Sequence, residues 1–185
     1  MASRRLKVLL LGPTKGDLQC GKSVIATFLS DTIEQPIQEY RPTQGVRIIE
    51  FESYELSADD IRVEPDVELW DCSGDRRFEN CWPAFRRFAD AVILVANPDT
   101  HHGEDLLPWY HEFVLKGGLR HEQVLVLLHH TSELTNDSTI AAFRLPSDML
   151  GIQMIPSNVD KDGENLRHEF TKFLNAVSRD LENRG

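Results

Sequence analysis

The segment Gly16-Asp17-Leu18-Gln19-Cys20-Gly21-Lys22-Ser23 has the spacing G-x4-G-K-[ST]. These residue types could hold a phosphorylated ligand. Gly21 would let the backbone approach a phosphate closely, Lys22 would supply a point charge, and Ser23 a hydroxyl for Mg²⁺. That chemistry requires a strand before the loop and a helix after it. Such a turn aims backbone N–H groups and the positive end of the helix dipole at one point. Leu6–Leu11 is an apolar run suited to a strand, and Val24–Leu29 reads as the opening of a helix.

The loop is longer than this chemistry needs. Gly12-Pro13 ends the strand as such loops usually begin, yet four further residues, roughly Thr14–Asp17, precede the spacing above. Either Gly16 restarts the motif, or Gly12 is its first glycine and the loop carries an insertion. Asp17 is expected to face solvent, away from a polyphosphate.

Three more segments could complete a nucleotide site. Thr43, within Pro42-Thr43-Gln44-Gly45, could place its hydroxyl on Mg²⁺ and its N–H on a γ-phosphate; a plain Pro/Gly turn would explain the same residues. Asp71, within Trp70-Asp71-Cys72-Ser73-Gly74, could hold Mg²⁺ through water, and the N–H of Gly74 could reach a γ-phosphate oxygen. Loss of that phosphate would release both loops. The backbone of Ser157-Asn158 could meet a guanine O6.

The elements that must position these residues are legible in the hydrophobic pattern. Apolar runs alternate with helical periodicity, which predicts a layered α/β fold. Ala91–Ala96 and Val124–Leu128 are continuous apolar runs of the kind buried in parallel sheets. Arg47–Leu56 alternates, Val67–Trp70 is short, and Ile152–Ile155 is the sixth strand. Polar Ser57–Pro65 reads as a hairpin connection. Glu104–Lys116 reads as a helix stopped by Gly117-Gly118. Leu166, Phe170, Phe173, Leu174, Val177 and Leu181 form one helical stripe. Ser132–Pro146 reads as a loop followed by a short helix.

The chain has 185 residues, enough for one domain spanning 1–185 with a sizeable core. A net charge of −10 disfavours nucleic acid and anionic membrane surfaces as partners. Cys20, Cys72 and Cys81 form neither a metal spacing nor a disulfide framework, as suits a reducing cytosol. No run of about 18 apolar residues is present. Ala2 and the Leu181-Glu-Asn-Arg-Gly185 end offer no lipidation motif, so membrane association is expected to be borrowed from a partner.

Taken together, these motifs resemble the Ras superfamily over nearly the whole chain. Arg77-Phe78 and Arg87-Phe-Ala-Asp90-Ala-Val-Ile-Leu-Val95 look Rab-like. Tyr40–Glu52, Glu68–Asp75, Phe78–Ala84 and the His129-His130 pair are similar to the Rab-like small GTPases of intraflagellar transport complex B. The resemblance implies a six-stranded, mostly parallel sheet with one antiparallel pair and helices on both faces. It implies GTP or GDP with Mg²⁺, and coiled-coil partner subunits of that complex. It also implies a cytoplasmic place at the cilium or flagellum and its base. The candidate nucleotide contacts in the phosphate loop are Gly16, Gln19, Cys20, Gly21, Lys22, Ser23 and Val24. Those beyond it are Thr43, Gly74, Glu133, Ser157 and Asn158. Ser23, Thr43 and, through water, Asp71 are the candidate metal ligands. Ile48 and Trp70 fall where Rab-like proteins shape a partner-binding face.

Two departures from the family pattern bear on hydrolysis. Where the family has a glutamine that positions the attacking water, this chain has Asp75, which can accept but not donate and adds negative charge. Leu18 stands where little side chain is preferred. Both imply slow hydrolysis. The base-reading Asn-Lys-x-Asp aligns with His130, Thr131, Ser132 and Glu133. Glu133 could still accept from guanine N1–H and the exocyclic amine, with weaker selectivity. The adjacent histidines 101–102 and 129–130 point to opposite faces of a strand and lack a metal-site spacing. Trp82, Phe85 and Phe88 suit packing of a helix on the sheet or an exposed partner face. Alternatives to a slow, nucleotide-dependent binding module are a fully cycling GTPase aided by partners and, further off, a P-loop kinase of small metabolites.

Overall fold

A computed structural model describes residues 5–14, 21–31, 43–57, 60–130 and 137–184. Six strands form one sheet in the order β2-β3-β1-β4-β5-β6. They are β1 (Leu6–Leu11), β2 (Val46–Ser57), β3 (Asp60–Cys72), β4 (Ala91–Ala96), β5 (Val124–His129) and β6 (Gln153–Ser157). Only β2 and β3 pair antiparallel; the other neighbours are parallel.

Strand alternation sorts the apolar residues into two layers. Leu6, Val8 and Leu10 of β1 face α1 (Lys22–Leu29) and α5 (Val159–Glu182), meeting Ile25, Leu166, Phe170 and Leu174. Leu9 and Leu11 face the other way, toward Trp82 and Phe85 of α2 (Trp82–Arg86) and Trp109 of α3 (Leu107–Trp109). β4 and β5 are buried throughout, as their unbroken apolar runs require. Each fully buried leucine or phenylalanine in these layers contributes about 1.5–3 kcal/mol.

Two expectations need correction. Ser57–Pro65 is not a connection: β2 runs to Ser57 and β3 starts at Asp60, so the hairpin is far longer than its polar sequence suggested. The distal pairs Tyr54↔Val63 to Ser57↔Asp60 lie beyond the first β1 pairing, Leu6↔Val67. Tyr54 and Leu56, paired with Val63 and Ile61, alternate with polar residues, but Asp59-Asp60 and Pro65 beside them read as turn signals. The helix expected over Glu104–Lys116 is built from a 3-10 turn (Gly103–Leu106), α3 and a π-helical stretch (Tyr110–Leu115). Pro108 sits at its start, and the π register shows in the Lys116 N–H bond to His111 O. It ends at Gly118, φ +70°, where Leu119 N–H reaches back to Val114 O.

Trp82 and Phe85 pack inside, whereas Phe88 is exposed on a left-handed backbone, φ +59°. The short helix α4 (Asp137–Ala142) agrees with the helix expected late in Ser132–Pro146; residues 131–136 lie outside the described part. The carboxyl ends of β1, β3, β5 and β6 share one edge of the sheet, and the candidate site residues collect there.

Candidate functional site

β1 ends at Leu11, and α1 begins at Lys22 behind Gly21. Gly21 has φ +87°, a conformation that favours glycine, and a Cβ there would collide with the His129 ring. Lys22 is buried and donates from Nζ to Gly12 O at 3.0 Å. That bond favours the reading in which Gly12 opens the loop. Gly74 lies against the same stretch: a Cβ would stand 2.7 Å from Gly12 O and 2.7 Å from Thr14 Cγ2. Only a glycine lets the β3 end come this close.

Beside Lys22, three oxygen-bearing side chains converge. Ser23 Oγ donates to Asp71 Oδ2 at 2.8 Å and stands 3.1 Å from Thr43 Oγ1. Thr43 Oγ1 lies 3.3 Å from the same carboxylate oxygen. Asp71 is 0% exposed, and its Oδ1 has no hydrogen-bond partner among the described residues. Burial raises the Asp71 pKa, opposed by the Ser23 hydrogen bond and the charges of Lys22 and Arg47. A hard, all-oxygen set with a buried carboxylate oxygen left over fits Mg²⁺. Arg47 Nε lies 3.7 Å from Asp71 Oδ2, and its guanidinium also donates to Thr27 Oγ1 at 3.0 Å. Ser73 N–H bonds Gly45 O at 2.8 Å, tying the Thr43 and Gly74 segments together.

Asp75 is turned to another task. Its carboxylate caps the 3-10 helix Arg76–Cys81, accepting from Arg77 N–H at 2.9 Å and from Arg77 Nε at 2.7 Å. Hydrogen bonding to Arg77 lowers its pKa.

Ser157 and Asn158 are buried at the β6–α5 junction. Asn158 Oδ1 caps α5, accepting from Asp160 N–H and Lys161 N–H at 3.0 Å each. His130 N–H bonds Ser157 O at 3.1 Å, and His129 Nδ1 shares a hydrogen bond of 3.0 Å with Ser157 Oγ.

The structure thus brings Gly21, Lys22, Ser23, Thr43, Asp71 and Gly74 to one place, with Ser157 and Asn158 joined to it through His129. Val24 is 46% exposed. Gly16, Leu18, Gln19, Cys20 and Glu133 lie outside the described residues. Sequence reasoning overlooked Arg47 and His129 as site neighbours. His129 stands in register with Ser157 across β5 and β6, a pairing that only the fold supplies.

Residues 7–132 match the family profile described as Ras of Complex, Roc, domain of DAPkinase. The protein described as intraflagellar transport protein 22 homolog in Danio rerio is 40% identical over 178 residues, 96% of this chain and 92% of its own. The Homo sapiens protein of that description is 36% identical over 185 residues, covering 96% of each. Among solved structures, the GTP-bound T. brucei IFT22/74/81 crystal structure superposes with a TM-score of 0.76 at 28% identity. It covers 98% of this chain and 99% of the matched one. The GDP-bound T. brucei IFT22 structure gives a TM-score of 0.69 at 27% identity, over 95% and 97%.

Proposed function

The chain belongs to the Ras-like GTPases, in the family of intraflagellar transport protein 22 homologues, and we propose that it is a Mg²⁺-dependent guanine-nucleotide module docking in intraflagellar transport. The observation that carries this reading is the Ser23–Thr43–Asp71 oxygen cluster beside Lys22. It joins a helix start, a loop before β2 and the end of β3, the three segments a γ-phosphate must hold together in a switch. Bound Mg²⁺ would neutralise phosphate charge there. Ser23 and Thr43 would hold the ion directly, and Asp71 through water.

In this reading the single domain 1–185 meets phosphates through Gly16, Gln19, Cys20, Gly21, Lys22, Ser23, Val24, Thr43 and Gly74. The base meets Glu133 and the Ser157-Asn158 backbone. Hydrolysis is slow because Asp75 replaces a glutamine and is engaged by Arg77. A homologue is seen with IFT74 and IFT81 in the T. brucei complex. We extend this to coiled-coil subunits of complex B as partners of this chain, in the cytoplasm at the cilium or flagellum and its base.

The test is the identity of the nucleotide released on denaturing freshly purified protein, separated by anion exchange. Guanine nucleotide is expected. Adenine nucleotide, or none together with no uptake of added GTP, would overturn the reading. Glu133→Ala should then lower GTP affinity with little change for ATP; an unchanged preference would move base reading to Ser157-Asn158 alone.

A further inference from the structure

A groove of about 570 Å³ lies between Lys7 of β1, Trp70 of β3 and the Arg87–Asp90 connection from α2 to β4. Its walls are tied together. Lys7 Nζ donates to Arg87 O at 2.8 Å and stands 3.6 Å from the Trp70 ring centroid. Lys7 N–H donates to Asp90 Oδ2, and Asp90 N–H to Lys7 O, both at 2.9 Å. Trp70 Nε1 donates to Glu68 Oε1 at 2.6 Å.

Phe88, on the rim, is not explained by these contacts. It is 79% exposed, and its backbone is left-handed, φ +59°. That conformation is costly for a bulky L-residue, and an exposed ring recovers little of the cost through burial. Strain without compensating burial points to a use at the surface. Arg87 stands beside it, its guanidinium 4.7 Å from the Phe88 ring centroid and in no ion pair with the described residues. The groove's carboxylates are engaged, Glu68 by Trp70 and Asp90 by the Lys7 backbone. Arg5, at the far end, is bound only to the exposed Glu50, a pairing weak enough to exchange. The charge left to a visitor is therefore positive, on a chain whose net charge is −10.

We propose that this groove docks an extended acidic segment of a partner protein. An apolar side chain of the segment packs against Trp70 and Phe88, and its carboxylates meet Arg87 and Arg5. Arg5 and Lys7 stand at the start of β1, and Ala89-Asp90 precede β4, so the groove opens toward the amino ends of these strands. The Ser23–Thr43–Asp71 cluster lies at the carboxyl ends. Docking in the groove is thus independent of the nucleotide, a contact separate from any made by the loops at the cluster.

The test presents the full chain to a phage-displayed library of random peptides. Enriched peptides are then measured by fluorescence anisotropy, with GDP or a non-hydrolysable GTP analogue added. We expect sequences rich in Asp and Glu around one Leu, Phe or Trp, binding more weakly as salt rises. Arg87→Glu and Phe88→Asn should each weaken binding about tenfold, the scale of an anchoring contact. Asn tolerates left-handed backbone, so the thermal midpoint of Phe88→Asn should be no lower than the parent's. Absence of enrichment, a basic or uncharged consensus, or equal binding by parent and both variants would overturn the proposal. So would an affinity that depends on the added nucleotide. A lower midpoint for Phe88→Asn would make the ring a packing element and count equally against it. A dimer of the parent that Phe88→Asn disperses in sedimentation would give the groove to a second copy of the chain and overturn it too.

Discussion

Arg77 holds Asp75: the guanidinium Nε and the backbone N–H of Arg77 both donate to that carboxylate, at 2.7 and 2.9 Å. The side chain we propose for the hydrolytic position therefore caps the Arg76–Cys81 helix. Asp75→Gln should raise single-turnover GTP hydrolysis only modestly, because a longer amide must first find the γ-phosphate and gives up the cap. Adding Leu18→Gly should raise it further. Quenched-flow measurement in saturating Mg²⁺ reads this. Fast hydrolysis by the parent would contradict the assignment, and an equally slow double variant would shift the cause to loop geometry.

Ser23 stands inside the oxygen cluster, so Ser23→Asn should separate the two nucleotides. Outer-sphere partners alone change metal affinity about 10–100-fold, so losing a direct ligand should weaken Mg²⁺-dependent triphosphate binding at least tenfold. Diphosphate binding should weaken less. Fluorescence titrations with and without EDTA compare them; equal losses for both would remove Ser23 from the metal.

His129 supplies a pH dependence. Burial first, and His130 second, pull its pKa down to about 4, with Asp160 and the Ser157 hydrogen bond pulling the other way. In the unfolded chain it takes a proton near pH 6.5, so the unfolded state binds more protons between 6.5 and 4. Its contribution is complete above pH 6.5 and lost as pH falls toward 4, by about 3 kcal/mol at most. Urea unfolding across that range should be flatter with pH for His129→Asn than for the parent. Parallel curves would show that the ring is not the titrating group.

Docking is best tested at Ile48 and Arg77. Ile48 is 47% exposed on β2, opposite Trp70, and Arg77 is exposed beyond the Asp75 cap. Arg47 is unsuited, because its side chain is only 33% exposed and braces the buried Asp71, whereas the Arg77 side chain, though paired with Asp75, is 80% exposed. Ile48→Asp with Arg77→Glu should weaken co-purification of the proposed coiled-coil partners by about 30-fold, the scale of an interface hot spot. Undiminished capture would move the interface to another face.

Much of the fold is readable in the chain because burial on both faces writes itself as apolar runs: Leu6–Leu11 and Ala91–Ala96 coincide with β1 and β4, and Val124–Leu128 covers all of β5 but its last residue. The outer half of β3 was harder to read, because the alternation of Ile61 and Val63 with polar residues is short and is flanked by the turn-like Asp59-Asp60 and by Pro65. Within the site, Lys22, Ser23, Thr43 and Asp71 announce themselves through spacing along the chain. Arg47 and His129 do not, because their roles depend on cross-strand register with Asp71 and Ser157. The π-helical stretch Tyr110–Leu115 was equally hidden, its apolar spacing being readable as an ordinary helix.

The outer part of the β2–β3 hairpin extends past the edge of β1, so its backbone pairs within a two-stranded ribbon. Such a ribbon can open without disturbing the inner sheet. Amide hydrogen exchange should therefore divide β3 into two classes. Protons of the Asp60–Val63 stretch should be lost through local opening, whereas those of Leu69–Asp71, flanked by β1 and β2, should be lost only in rarer, larger openings.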